Sequence, residues 1–175
     1  MSEVLEFRSG HRVEVVADLP EVLRLRHTLP APGRQAGPHR HPVLAETWTV
    51  TRGRLRFVID GTATVAGPGD TVHAPPGAVH AFESLDPGTE LDHEIRPPLR
   101  HLDMFRLWSA LDRAGRTTRS GIPRDPLALA LLWQLQDGYL AGPPEWLQRV
   151  FLGGAARLAV RLGYQRRLLP GRAAP

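Results

Sequence analysis

The first half of the chain alternates apolar and polar residues over short segments that Gly, Pro and Asp interrupt. Side chains that alternate in this way point to opposite faces of a β-strand, and many short strands between turn signals are typical of a sandwich or a barrel. We therefore predict an all-β region. Its candidate strands cover residues 12–16, 22–29, 47–51, 54–59, 62–66, 71–74, 80–84 and 89–95.

The clearest of these strands reads RLRFVI, at residues 54–59. Leu55, Phe57 and Ile59 share one face of such a strand, and the two arginines occupy the other. An Asp-Gly pair follows directly, and this dipeptide is the strongest short-range signal for a two-residue hairpin loop. We predict a hairpin here, with its apolar face turned to the core and its arginine face turned to solvent.

In the last part of the chain, the spacing of apolar residues changes to the helical period of between three and four. A first helix is predicted over residues 99–114, with Gly115 as its stop signal. A second helix should begin at Pro126, because Asp125 is a good N-cap and proline suits the first helical position. A third is predicted over residues 145–162, with arginines on one side and apolar residues on another.

The length of 175 residues suits one core with an appendage and is short for two independent domains. We predict a mainly β barrel domain over residues 1–97, followed by about three α-helices in a basic extension over residues 98–175. The extension is expected to pack on the barrel or on the partner subunit of a homodimer.

All 22 basic residues of the chain are arginine, and the net charge is +4. Residues 1–95 carry 9 Arg against 13 acidic residues, whereas residues 96–175 carry 13 Arg against 5. The basic part could contact nucleic acid, anionic lipid or an acidic partner, but a solvated helical face is the favoured interpretation. Nucleic-acid binding is disfavoured, because no pair of predicted helices has the short turn of a helix-turn-helix.

The residue types that are missing narrow the chemistry. The chain has no cysteine, so it can form neither a disulfide nor a thiolate metal site, and it has no lysine for a Schiff base. Its N-terminus lacks the basic and apolar regions of a signal peptide, and no run of about eighteen apolar residues is present. We expect a soluble, cytoplasmic protein with no membrane partner.

Three histidines and a glutamate recur at spacings that suit a shared metal ion. His39 and His41 are two residues apart, so on a strand both imidazoles project from one face. Glu46 follows after a turn at Pro42, and His80 follows a Pro-Pro-Gly turn that leads into a strand. This ligand set suits Fe(II), Mn(II), Ni(II), Co(II), Cu(II) or Zn(II), and it leaves one or two coordination positions open.

Two segments resemble the signature motifs of the cupin superfamily: GRQAGPHRHPVLAETWTVTRG at residues 33–53 and GDTVHAPPGAVHAFES at residues 69–84. The resemblance implies a double-stranded β-helix (jelly-roll) barrel over about residues 12–97, with the metal inside its mouth. One departure is Ser84, which stands where many family members have Asn and where a looser turn is therefore expected. The matching positions are Gly33, His39, His41, Glu46 and Gly53 in the first motif, and Gly69, Pro75, Gly77 and His80 in the second.

Further residues are candidates for the pocket around the metal. Trp48, Phe57 and Phe82 have the parity of inward positions, with ordinary core packing as the alternative. His93 alternates with apolar residues and is expected to face inward, where it could contact a metal ligand or the substrate or simply pack in the core. Three other histidines have weaker claims, because neither spacing nor parity ties them to the metal; these are His27, His73 and His101.

Two classes of function remain open, both involving a small-molecule ligand. In the first, favoured because the ligand set is complete, the metal is the centre of an enzyme of dioxygenase, isomerase or cyclase type. Glu46 would then be a ligand or, if detached, a general base. In the second, the protein is a non-catalytic binding or sensing cupin whose helices contact a partner. The fold resemblance alone does not choose between them.

Overall fold

The computed structural model describes residues 2–168. The chain divides into two compact units, the first ending at Leu99 and the second beginning at Arg100. The first unit is built almost entirely of β-strands, and the second mainly of helices. The strands β1 to β10 are Val4–Glu6, Arg12–Leu19, Val22–Leu29, Gly33–Arg40, Ala45–Arg52, Leu55–Ile59, Thr62–Ala66, Thr71–Ala74, His80–Ser84 and Thr89–Arg96.

The strands of the first unit form two antiparallel sheets. The first sheet has the order β1-β2-β3-β10-β5-β8, and the second has the order β4-β9-β6-β7 within this unit. Chain neighbours are thus often not sheet neighbours, as expected of the predicted jelly roll, in which long connections cross between sheets. The core lies between the sheets, because its buried cluster takes Trp48, Val50 and Leu91 from one and Leu55 and Phe57 from the other.

The alternating pattern predicted most strands closely. The hairpin of β6 and β7 has the two-residue loop expected of Asp60 and Gly61, and both residues have positive φ, at 46° and 82°. Leu55 and Phe57 are buried while Arg56 is exposed, as the alternation of the strand requires.

Two strands, β1 and β4, were not predicted. β4 reads GRQAGPHR, in which two glycines and a proline hide any alternation, and its pairing with β9 shifts register twice. His41 is also placed differently from the prediction, since it follows the end of β4 instead of lying within a strand with His39.

The second unit contains four helices among its described residues, one more than predicted. Asp125 caps the second helix as expected, accepting a 2.9 Å hydrogen bond from the Leu127 amide, with Pro126 as the first helical residue. Along the part of the chain that the structure describes, no helix is both long and apolar enough to cross a membrane. The elements are α1 His101–Arg113, α2 Pro126–Gln136, β11 Tyr139–Leu140, α3 Glu145–Arg161 and α4 Tyr164–Leu168.

Helix α3 is oriented differently from the amphipathic prediction. Several of its large apolar side chains are exposed, with Trp146 at 66% and Phe151 at 67% of full accessibility. The buried residues are small or polar: Ala156, Ala159 and Gln148. Gln148 is held by hydrogen bonds between its side-chain amide and the backbone of Leu140 and Pro143. Alanines let this helix approach its neighbours closely, and four of its large apolar residues are left exposed: Trp146, Val150, Phe151 and Leu158.

Candidate metal centre

Strand pairing gathers the four predicted metal ligands in the barrel interior. His39 near the end of β4 is in register with His80 at the start of β9, and Glu46 lies near the start of β5. His41 completes the group from the segment between β4 and β5. All four side chains are buried, and one ligand atom from each lies within 4.8 Å of the other three.

The turn before β9 fixes the position of His80 and ties the two halves of the site together. Gly77 has φ of +84°, a conformation that favours glycine, and its amide donates a 2.7 Å hydrogen bond to the carbonyl oxygen of His41. The Ala78 amide donates to the Pro75 carbonyl oxygen at 3.1 Å, which closes the turn. The backbone of the second motif thus holds the backbone of the first.

Two histidines of the group have a defined tautomer. Nδ1 of His39 lies 2.7 Å from the carbonyl oxygen of Gly37, and Nδ1 of His80 lies 3.0 Å from that of Ala78. A carbonyl oxygen can only accept, so each Nδ1 carries a proton, and in the neutral ring Nε2 then presents a lone pair. This is the arrangement in which a histidine binds a metal through Nε2 and is oriented by a backbone partner through Nδ1.

Glu46 lies against the imidazoles of this group. Its Oε2 lies 2.7 Å from Nε2 of His80 and 3.3 Å from Nε2 of His41. Apart from these short contacts with each other and with His41, neither Glu46 Oε2 nor His80 Nε2 has a hydrogen-bond partner within residues 2–168, although both are buried. Buried polar atoms are rarely left in this state, and a cation between them would satisfy both. Burial raises the pKa of Glu46, but contacts with His41, His80 and His93 outweigh it and hold the pKa well below its ordinary value.

The protonation state of His39 also suits a metal. Burial lowers the pKa of His39 to about 4, and the neighbouring His80 and His41 act in the same direction. His39 is therefore neutral at neutral pH, which is the form that ligates metals. A buried set of imidazoles with one ionised carboxylate fits a divalent transition metal, and the identity of the ion is left open by these donors.

The aromatic pocket candidates lie beside this group and also within the core. Trp48 and Phe57 are each 1% exposed, and Phe82 packs against them while partly buried. The indole of Trp48 stacks on His93 with ring centroids 5.3 Å apart and lies 5.5 Å from His80. Trp48 Nε1 is buried and has no hydrogen-bond partner among residues 2–168. The same aromatic residues thus pack in the core and form one wall of the site.

His93 lies inside the barrel, where its Nε2 is 3.0 Å from Oε1 of Glu46. Sequence reasoning missed two further histidines that continue from it, His27 and His11. A signal for His27 was present, because in β3 it alternates with Leu25 and Leu29 on the buried face. His11 precedes β2 and had no such signal.

The other two histidines with weak claims lie away from the metal ligands or outside this unit. His73 is exposed on β8, where its Nδ1 lies 2.9 Å from the hydroxyl of Thr47. His101 begins α1 in the second unit and lies against Phe105, with ring centroids 5.5 Å apart.

The closing positions of the two predicted motifs meet at Thr89. Gly53 has φ of +74°, and a Cβ there would lie 2.5 Å from the Thr89 hydroxyl oxygen, so a side chain is excluded on both counts. The hydroxyl of Ser84 lies 3.0 Å from that of Thr89, which in turn donates to the carbonyl oxygen of Asp86 at 2.7 Å. Ser84 therefore contributes hydrogen bonds to this turn through its hydroxyl group.

Residues 26–91, which contain both motifs, match the family model described as "Cupin domain". The matched part of the barrel is a cupin domain. The barrel resembles many solved structures. KdgF from Halomonas sp. shares 20% sequence identity at a TM-score of 0.50, over 54% of this chain and 86% of KdgF.

Two other solved structures show similar barrels. An RmlC-like cupin from Shewanella frigidimarina shares 18% identity at a TM-score of 0.49, over 55% of this chain and 85% of its own. A Streptomyces Pac13 variant with uridine shares 20% identity at a TM-score of 0.46, over 55% and 75% of the two chains. No curated protein matches this cupin by sequence. At these identities the likeness concerns the fold of the barrel.

Proposed function

We propose that this cupin binds one divalent transition metal through His39, His41, Glu46 and His80, and that it acts as an enzyme on a small organic molecule beside the ion. The observation that carries the proposal is the convergence of the four buried ligand atoms within 4.8 Å. Burying a carboxylate among imidazoles is costly unless the group is compensated, and a bound cation supplies that compensation.

The bound metal would supply Lewis-acid or redox chemistry at open coordination positions, as in dioxygenase, isomerase or cyclase reactions. The residues of the chain would orient the substrate and exclude water. Trp48, Phe57 and Phe82 form an apolar wall around the ligand group. The indole N–H of Trp48 has no partner among residues 2–168, and we assign it to an acceptor atom of the substrate.

Metal analysis of the purified protein tests this proposal. We expect about one metal ion per chain. Loss of a residue that only supports a metal ligand lowers metal affinity about ten- to hundredfold, so His80→Ala, which removes a ligand itself, should lower it by more than about a hundredfold. His73→Ala is the matched control, because His73 is exposed and hydrogen bonds to Thr47. Equal metal content in wild type and His80→Ala, or none in wild type, would refute the metal site.

A second candidate function is a non-catalytic ligand sensor whose helices bind a partner, which we take to be a second copy of the chain. The exposed apolar residues of α3 favour it, since Trp146, Val150 and Phe151 are each more than 60% exposed. The adjacent Gly153 and Gly154 would allow two such helices to approach closely. Sedimentation equilibrium distinguishes the outcomes: Phe151→Ser should convert a dimer to a monomer, and a monomeric wild type would contradict this candidate.

A further inference from the structure

Three buried histidines form a continuous line from the metal-site carboxylate to the turn before β2. His93 Nε2 lies 3.0 Å from Glu46 Oε1. Nδ1 of His93 lies 3.3 Å from His27 Nε2, and Nδ1 of His27 lies 3.1 Å from His11 Nε2. The three side chains are only 4%, 5% and 9% exposed. These distances are those of hydrogen bonds, so the line of rings is hydrogen-bonded and the rings do not merely pack together.

The register of the first sheet builds this line. Ile95 is directly opposite Glu46, and His93 lies two residues before it on the same face. The same offset of two residues relates His93 to His27 across β10 and β3. It also relates His27 to His11, which lies two residues before Val13, the partner of His27 in β2. Diagonal neighbours of this kind are within reach of large side chains. The line therefore follows from strand pairing: it crosses β5, β10 and β3 and ends just before β2.

Ionised Glu46 fixes the direction of the first hydrogen bond, and of the other two when the three rings are neutral. Ionised Glu46 can only accept, so Nε2 of His93 must carry a proton. In a neutral ring, Nδ1 of His93 is then an acceptor, and the proton of that link belongs to His27 Nε2. The same reasoning assigns the last link to His11 Nε2. All three rings thus share one tautomer, and every N–H points toward Glu46.

The far end of the line is neutral. Burial lowers the pKa of His11 to about 4, so the ring carries no charge at neutral pH. It is stacked on Phe7, with ring centroids 4.9 Å apart and planes 15° from parallel. A neutral His11 can donate the hydrogen bond from its Nε2 to Nδ1 of His27, as the direction given above requires.

We propose that His93, His27 and His11 are positioning residues for the metal centre, holding Oε1 of Glu46 so that Oε2 faces the three histidine ligands. This role rests on the proposed metal function, although the line of hydrogen-bonded histidines is present in the metal-free protein. His93 acts on Glu46 directly. His27 and His11 act through it, because His27 supports the other ring nitrogen of His93 and His11 in turn supports His27.

The first test is imidazole ¹⁵N NMR of the metal-free protein. We expect His93 and His27 to show the neutral tautomer with the proton on Nε2. His11→Phe keeps an aromatic ring on Phe7 but removes the N–H donor, and should shift the His27 signals toward a mixture of tautomers. Nδ1-protonated His93 in the wild type would overturn the proposal.

The second test is titration of the protein with Co(II), monitored by its visible spectrum. His27→Phe should lower Co(II) affinity about tenfold and alter the spectrum, whereas His27→Gln, which retains an N–H donor, should remain within about threefold of wild type. Leu23→Ala is the control for lost stability, because Leu23 is buried on the same strand but is not part of the line of histidines. It should leave the spectrum unchanged.

The failures of the two proposals are distinguishable. If wild type binds Co(II) and His27→Phe matches it in affinity and spectrum, the positioning role is wrong while the metal site stands. If wild type does not bind Co(II), the metal function is wrong, and the positioning role is wrong with it.

Discussion

The two faces of strand β10 use polar residues in opposite ways. On the outer face, Glu94 pairs with Arg24 at 2.9 Å and Asp92 pairs with Arg26 at 2.8 Å, with all four side chains at least 32% exposed. On the inner face, the one polar side chain between Leu91 and Ile95 is that of His93, which is 4% exposed and contacts Glu46.

The difference follows from the solvent on each side. An exposed ion pair exchanges water contacts for protein contacts at little net gain, so its exact partner matters little. A buried polar group without a partner is costly, so each inner polar residue must be matched by another group. The inner face should therefore be sensitive to single substitutions, and the outer face should tolerate them.

The largest stability effect is expected at the inner face. Trp48→Ala should lower the free energy of unfolding by about 3–5 kcal/mol, because it leaves a cavity among Phe57, Phe82 and His93. Urea denaturation of metal-free protein measures the change. Val65→Ala is the control at an exposed apolar position and should cost under about 1 kcal/mol. A similar cost at the two positions would contradict the comparison.

An intermediate effect is expected from pH, through His11. Its pKa is about 4 in the folded protein and 6.5 as the ordinary value, so as pH falls below 6.5 the unfolded chain takes up a proton that the folded chain does not. Stability should therefore fall between pH 6.5 and 4. From pH 7 to pH 5, the contribution of His11 amounts to a loss of about 2 kcal/mol.

His11→Gln isolates this contribution. Both proteins are compared without metal, so that the titration of His39 contributes equally to each. The variant is expected to be less stable at pH 7 but to lose about 2 kcal/mol less than wild type on going to pH 5. Parallel losses in the two proteins would show that His11 is not the acid-sensitive group.

The smallest effect is expected at the outer face. Arg26→Ala removes the pair with Asp92, whose side chains are 48% and 44% exposed, and should cost about 0.2–1 kcal/mol. The cost should shrink further at high salt, which screens exposed charges. A salt-independent loss of several kcal/mol would mean that the outer face is as specific as the inner one.

The parts of the fold that sequence predicted well are those in which side-chain alternation reflects burial. Four predicted strands, at residues 22–29, 62–66, 71–74 and 80–84, have the bounds found in the structure. The histidine and glutamate spacing likewise identified the group that the barrel gathers in its interior. In both cases the information is local, carried by residues a few positions apart.

The features that sequence did not predict depend on pairing between distant segments. β4 lacks an apolar pattern, and its strand character comes from its partner β9. The line from Glu46 to His11 requires the register of β5, β10, β3 and β2 at once. The exposed face of α3 was missed because periodicity shows which residues share a side but not which side is buried.

The hydrogen bond from the Gly77 amide to the His41 carbonyl oxygen has a consequence for folding. The segments that it joins are far apart in sequence, so the ligand group is complete only after the two sheets have closed on each other. A metal ion would then bind the closed barrel and not its open forms, and would stabilise it by an amount that rises with the logarithm of the free metal concentration. The exchange rate of the Gly77 amide proton would report, at a single atom, how often the barrel opens.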